Sequence, residues 1–198
     1  MFMRILILIF LPIELTPNLT SLWVKGIEKF FFTVTEETNF IVFHSTGIDI
    51  SSRTINERLK VRINMRLQKI GTVHLKKINI IIINCVFIIQ VERMLEFPSR
   101  EQVYLETDEY MVPGVTYALR LKFSYMLSNH LEGFYFSEYF DKAGNKRRIA
   151  STHFEPTYAR RAFPCFDEPH LKAKFLMTIT HDRLVKKIIS VILHFYCN

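Results

Sequence analysis

Side chains able to do chemistry crowd into the stretch from His153 to Pro169, where His153, Glu155, Arg160, Arg161, Cys165, Asp167 and Glu168 stand between Pro156, Pro164 and Pro169. A carboxylate such as Glu155 can pair with an ammonium, because charge-assisted hydrogen bonds are the strong ones when water is excluded. Taken by itself, a glutamate before a proline reads as a surface residue. Arg160, Arg161, Asp167 and Glu168 suit ion pairs and capping between proline-bounded turns, since proline fixes φ and keeps such a segment from becoming a long helix. Cys165 reads as a small buried thiol.

Other chemistries lack their residues. A metallopeptidase zinc site needs two histidines at i and i+4 on a helix with a glutamate between them as general base, and a further ligand downstream. The seven histidines are His44, His74, His130, His153, His170, His181 and His194, and no two form a His-Glu-x-x-His pair. Cys85, Cys165 and Cys197 make an odd count without a CxxC, so they set neither a disulfide framework nor a zinc site. There is no Gly-x-Ser-x-Gly elbow and no phosphate loop. No catalytic residue and no metal ligand is therefore assigned, and the chain is expected to be inactive by itself.

The elements that must position the charged stretch read as strands. Eighteen Phe and eight Tyr against six Gly and seven Pro favour pleated, half-buried surfaces. Val115 to Tyr125 places apolar side chains at every odd position, the period of a strand with one buried face. Phe134 to Phe140 and Lys146 to Thr152 flank Asp141 to Asn145, a Gly-containing connection typical of a hairpin. Phe30 to Thr35 and Phe40 to His44 suggest two strands about a turn at residues 36–39, with Ile48 and Ile50 extending the pattern. Phe175, Met177 and Ile179 alternate in a last strand. Residues 1–11 hold Arg4 and then an apolar run the length of a signal-peptide core, too short to span a bilayer and followed by no small-residue cleavage site. They read as signal-like or as an incidental apolar start. Asn18-Leu-Thr20 fits a glycosylation acceptor in a secretory setting.

The formal charge of +7 is unevenly spread. Residues 56–90 carry seven basic groups against Glu57, and 184–198 add Lys186 and Lys187, so the remainder sums to −1. A nucleic-acid partner is not expected on that distribution. Both segments look odd in other ways: Lys76 to Gln90 is an Ile-rich run without strand alternation or caps, and Val185 to Asn198 has the same flavour. Two readings stand, translated non-coding sequence from a faulty gene prediction, or a genuine insertion and amphipathic tail.

Leu131-Glu-Gly-Phe-Tyr135, Asp141 to Asn145, Ser151 to Pro169 with Arg160-Arg161-Ala-Phe-Pro-Cys-Phe-Asp-Glu-Pro169 intact, and Lys172-Ala-Lys-Phe175 resemble, in order and spacing, the N-terminal domain of the aminopeptidase N family of zinc aminopeptidases. Weaker agreement runs through Phe97 to Tyr117, Glu37-Thr38 and Ile41 to His44. The resemblance implies an all-β fold, an antiparallel β saddle over 12–183 with a doubtful, irregular insertion at 56–90 and a non-matching tail at 184–198. It implies that Glu155 takes the α-ammonium of a peptide substrate, and that His153, where the family usually has Gln, lines the pocket for the first side chain. The expected partners are a peptide N-terminus and the missing catalytic domain of the same enzyme, which would hold the zinc. Location outside the cell or at a membrane is favoured, with membrane attachment left open. The alternatives are a non-catalytic peptide- or protein-binding β module and a decayed or mis-predicted gene fragment.

Overall fold

The computed structural model describes residues 6–60 and 84–180. Eleven strands follow one another: β1 Leu6–Pro17, β2 Trp23–Val34, β3 Thr38–His44, β4 Asp49–Lys60, β5 Asn84–Ile89, β6 Val91–Phe97, β7 Gln102–Met111, β8 Thr116–Met126, β9 Gly133–Phe140, β10 Lys146–His153 and β11 Lys174–Ile179. They form a six-stranded sheet in the order β11-β1-β2-β8-β4-β5, a three-stranded sheet β3-β7-β6, and the β9-β10 hairpin. The domain is all-β and its pairings are antiparallel apart from β1 with β11, which run parallel with Phe10 opposite Lys174 and Leu15 opposite Ile179.

Alternation builds the core. On β8, Tyr117, Leu119, Leu121, Phe123 and Tyr125 are buried while their neighbours in sequence are less so, as the odd-position pattern requires. On β2 the inner row is Val24, Gly26, Glu28, Phe30, Phe32 and Val34. Ile41 and Phe43 of β3 and Val103 and Leu105 of β7 meet it from the three-stranded sheet. Phe30 stacks on Phe43 at 6.1 Å between ring centroids and takes the edge of Phe166 at 5.1 Å, so the segment after the hairpin closes the space between the sheets. Burying such a phenylalanine contributes about 2–3 kcal/mol. Gly26 keeps its place because a Cβ there would run into the Phe123 ring across the β2–β8 pair.

One member of that inner row does not fit it. Glu28 is 1% exposed, set between Ile13 and Leu121 on the adjacent strands, and neither carboxyl oxygen has a hydrogen-bond partner among the described residues. Burial pushes its carboxyl well above the usual carboxylate range.

The structure adds detail to the sequence reading at three places. The turn at residues 36–39 joins β2 to β3 across two sheets, because each strand finds its hydrogen-bonded neighbours elsewhere. The doubtful stretch 56–90 is regular at both ends: β4 pairs with β8 on one edge and with β5 on the other, and Ile55 opposite Ile89 is buried in the core. An open edge beside β-branched residues recruits a strand even where alternation is absent from the sequence. The domain boundary set at residue 12 falls inside β1, whose Leu8 and Leu11 are buried with Ile13 and Leu15. Residues 1–5, 61–83 and 181–198, which include Arg4, the lysine-rich start of the Ile run and the 184–198 tail, lie outside the described residues.

Candidate functional site

The β9–β10 hairpin delivers the charged stretch to its place. Its connection is held by Asp141, whose carboxylate accepts from the Asn145 N–H at 2.9 Å, from the Ala143 N–H at 3.0 Å and from Arg147 Nε at 2.9 Å. The Asn145 N–H first and Arg147 second hold that carboxyl below its ordinary value. Across the strands Glu138 takes Lys146 at 2.8 Å and Arg148 at 3.0 Å, and these two bonds lower its carboxyl likewise. Arg148 also donates to the Leu19 and Thr20 carbonyls, tying the hairpin to the turn between β1 and β2. In that turn Asn18 Oδ1 accepts from the Thr20 and Ser21 N–H groups at 2.9 Å each, so the side chain of the glycosylation triplet serves the turn.

β10 ends at His153, and the chain passes through Phe154 and a cis Glu155–Pro156 peptide into a short 3-10 turn, Tyr158–Arg161. Phe154 packs edge-on to Phe163 at 5.6 Å, and its carbonyl accepts from the Tyr158 N–H at 2.8 Å. His153 and Glu155, on either side of this anchored residue, are both exposed. The His153 ring meets the Tyr158 ring edge-on at 5.9 Å, and the Arg161 guanidinium lies over Tyr158 at 5.8 Å. The Glu155 carboxylate makes no hydrogen bond or ion pair among the described residues. It is an exposed carboxyl on a loop whose neighbours are fixed.

What fixes them is a chain of ion pairs. Arg160 is buried and pairs with Asp167 at 2.8 Å and Glu101 at 3.0 Å. Arg161 reaches Glu132 at 3.1 Å and Glu101 at 3.7 Å. The arginines and acids that the sequence marked for ion pairing are so used, but their chief bridge, Glu101, lies far away in sequence. It sits after the Pro98–Arg100 turn at φ 54°, a left-handed conformation uncommon for a residue with a Cβ. No sequence signal announced it. Glu132 stood in the Leu131-Glu-Gly motif, though only the structure gives it a partner. Gly133, at φ 68°, brings the base of β9 so close to the turn that a Cβ would lie 2.8 Å from Arg161 Cβ.

His44 backs the other side of this network. Its backbone bridges Cys165 in both directions at 2.7 and 2.9 Å, and its Nε2 lies 3.9 Å from Glu168 and 3.5 Å from Gln102. Burial first, and then Arg160, lower the imidazole below its ordinary value. A neutral ring there suits a structural post. Cys165 is buried. Among the described residues no three of His, Cys, Asp or Glu are grouped to hold a metal ion. No described helix is long and apolar enough to cross a membrane.

Comparison with known proteins agrees with this architecture. The family described as the peptidase M1 N-terminal domain matches residues 11–191. Human endoplasmic reticulum aminopeptidase 2 is 35% identical over 166 residues, 84% of this chain and 15% of that protein. Human endoplasmic reticulum aminopeptidase 1 is 33% identical over 165 residues, 83% of this chain and 15% of its own length. Glutamyl aminopeptidase of Sus scrofa is 39% identical over 103 residues, 50% of this chain and 11% of that protein. The chain thus spans about 15% of the length of the first two.

Proposed function

Because the chain belongs to the peptidase M1 N-terminal domain family, we propose that it is the substrate-edge domain of a zinc aminopeptidase, with Glu155 as the carboxylate that receives the free α-ammonium of a peptide. The observation that carries this reading is the state of Glu155: exposed, unpaired among the described residues, and mounted between the anchored Phe154 and the ion-paired Tyr158–Arg161 turn. A carboxylate already engaged by arginine would have nothing left to offer an ammonium. An enzyme that counts from the amino end needs such a fixed anion, since desolvating an ammonium without a partner costs several kcal/mol.

His153 shares the rim with Glu155 and lines the pocket for the first substrate side chain, its ring steadied by Tyr158. The partner is the catalytic domain of the same enzyme. The zinc of such an enzyme would be held by that partner, where it would supply an activated water. No step assigned to this chain runs through it. This domain binds and orients the peptide end, and by covering the rim it strengthens the ion pair through loss of water.

The test is a chimaera in which this chain replaces the matching N-terminal segment of human endoplasmic reticulum aminopeptidase 2. The expected result is removal of the first residue from unblocked peptides and none from N-acetylated ones. A folded, zinc-loaded chimaera that leaves unblocked peptides uncut would sink the proposal.

A further inference from the structure

The outer face of the six-stranded sheet, turned away from the core, takes no part in the site around Glu155. Strand alternation places Lys25 and Lys29 of β2 on it, and the unshifted β2–β8 register sets Arg120 directly opposite Lys29 and Lys122 beside them, opposite Ile27. Like charges directly opposite one another in a sheet destabilise it. None of the four makes a side-chain hydrogen bond or ion pair among the described residues. Glu14 of β1 and Asp49 of β4 are the acids on the same face. Fold stability gives no reason to gather cations there.

The exposed apolar residues of this face lie around the cations, at its two ends and, with Leu176, on the β11 edge, while half-buried Ile27 sits among them. Trp23 and Met126 are cross-strand partners beyond Lys25, 46% and 58% exposed, and Ile7 at the opposite end is 55% exposed. Protein interfaces have the reverse plan, an apolar centre depleted of lysine within a polar rim. Single-stranded nucleic acid needs free aromatic faces among the cations, but Phe10 and Phe31 stack on each other at 6.1 Å and are half buried. A central block of lysine and arginine with a tryptophan at its margin matches a plane of anionic headgroups, where cations meet phosphates and an amphipathic indole enters the interfacial layer.

We propose that this outer face docks on an anionic phospholipid surface, with Lys25, Lys29, Arg120 and Lys122 against the headgroups and Trp23 and Met126 entering between them. Trp23 is the chain's only tryptophan, so its fluorescence reads the contact directly. With the whole chain and vesicles of phosphatidylcholine containing about one third phosphatidylserine, the expected result is a blue shift of the emission together with co-sedimentation. Pure phosphatidylcholine vesicles and inorganic phosphate leave the emission unmoved. Lys25→Gln and Lys122→Gln, both at exposed positions, each weaken the partition about fivefold, and Trp23→Ser weakens sedimentation while the circular dichroism stays unchanged. No shift with anionic vesicles, equal binding to neutral ones, a shift with inorganic phosphate alone, or binding untouched by the two lysine substitutions would overturn the proposal. So would capture of an acidic peptide or oligonucleotide in place of the vesicles.

Discussion

Glu28 and Glu155 are glutamates of one small domain whose surroundings give them opposite uses. Glu155 is exposed, whereas Glu28 is enclosed by the β2 inner row, its two carboxyl oxygens without a hydrogen-bond partner among the described residues. Its raised pKa makes stability depend on pH. The unfolded chain releases this proton near the ordinary carboxylate value and the folded chain only at higher pH, so the native state is at its best below the unfolded value. Stability is lost as pH climbs toward the folded value, at about 1.4 kcal/mol per pH unit. Glu28→Leu, with Ile13 and Leu121 as neighbours, is expected to raise the melting temperature at neutral pH and to gain little near pH 4. Thermal scans at the two pH values check it; an equal gain at both would mean that the carboxyl is solvated.

Two glycines test the packing of the elements. Gly26→Ala pushes a methyl into the Phe123 ring, and such overpacking costs about 1–3 kcal/mol. Phe123→Leu should recover part of that loss in a double-mutant cycle by denaturant unfolding, where strict additivity would contradict the contact. Gly133→Ala is strained twice, by φ 68° and by Arg161, and is expected to cost at least ~1 kcal/mol. It should also displace the Tyr158–Arg161 turn, so in the chimaera peptide turnover falls more than the melting temperature alone would explain. The sequence showed the elements that carry their own rhythm. β8 was legible by alternation, and the hairpin by the Gly-containing connection at Asp141 to Asn145. Pairing between distant segments left no local mark: the parallel β1–β11 contact, β5 on the β4 edge, and Glu101 reaching Arg160 all depend on what the fold brings together. At the site, Glu155 and His153 were located by resemblance, since a glutamate before a proline has no distinctive pattern of its own.

At the scale of the whole molecule, net charge proved a poor guide to surface charge. The chain outside 56–90 and 184–198 sums to −1, yet Glu101, Glu132, Glu138, Asp141 and Asp167 stand in ion pairs around Arg160, Arg161 and the hairpin, while Lys25, Lys29, Arg120 and Lys122 gather on the outer sheet face. The same division of labour sets the site. One side of the domain uses its carboxylates to fix a loop, and the carboxylate that loop presents is unpaired among the described residues. The chain covers about 15% of the length of the two endoplasmic reticulum aminopeptidases, so the contribution to turnover proposed for it is measured best with the remainder attached. The decisive measurement is kcat/KM of the chimaera for an unblocked peptide with Glu155 and with Glu155→Gln. A neutral amide of the same shape removes the charge while leaving the loop in place, and a charge-assisted hydrogen bond contributes about 1.5–3 kcal/mol. The account predicts a fall of roughly 10- to 100-fold at unchanged melting temperature; an unchanged kcat/KM would contradict it.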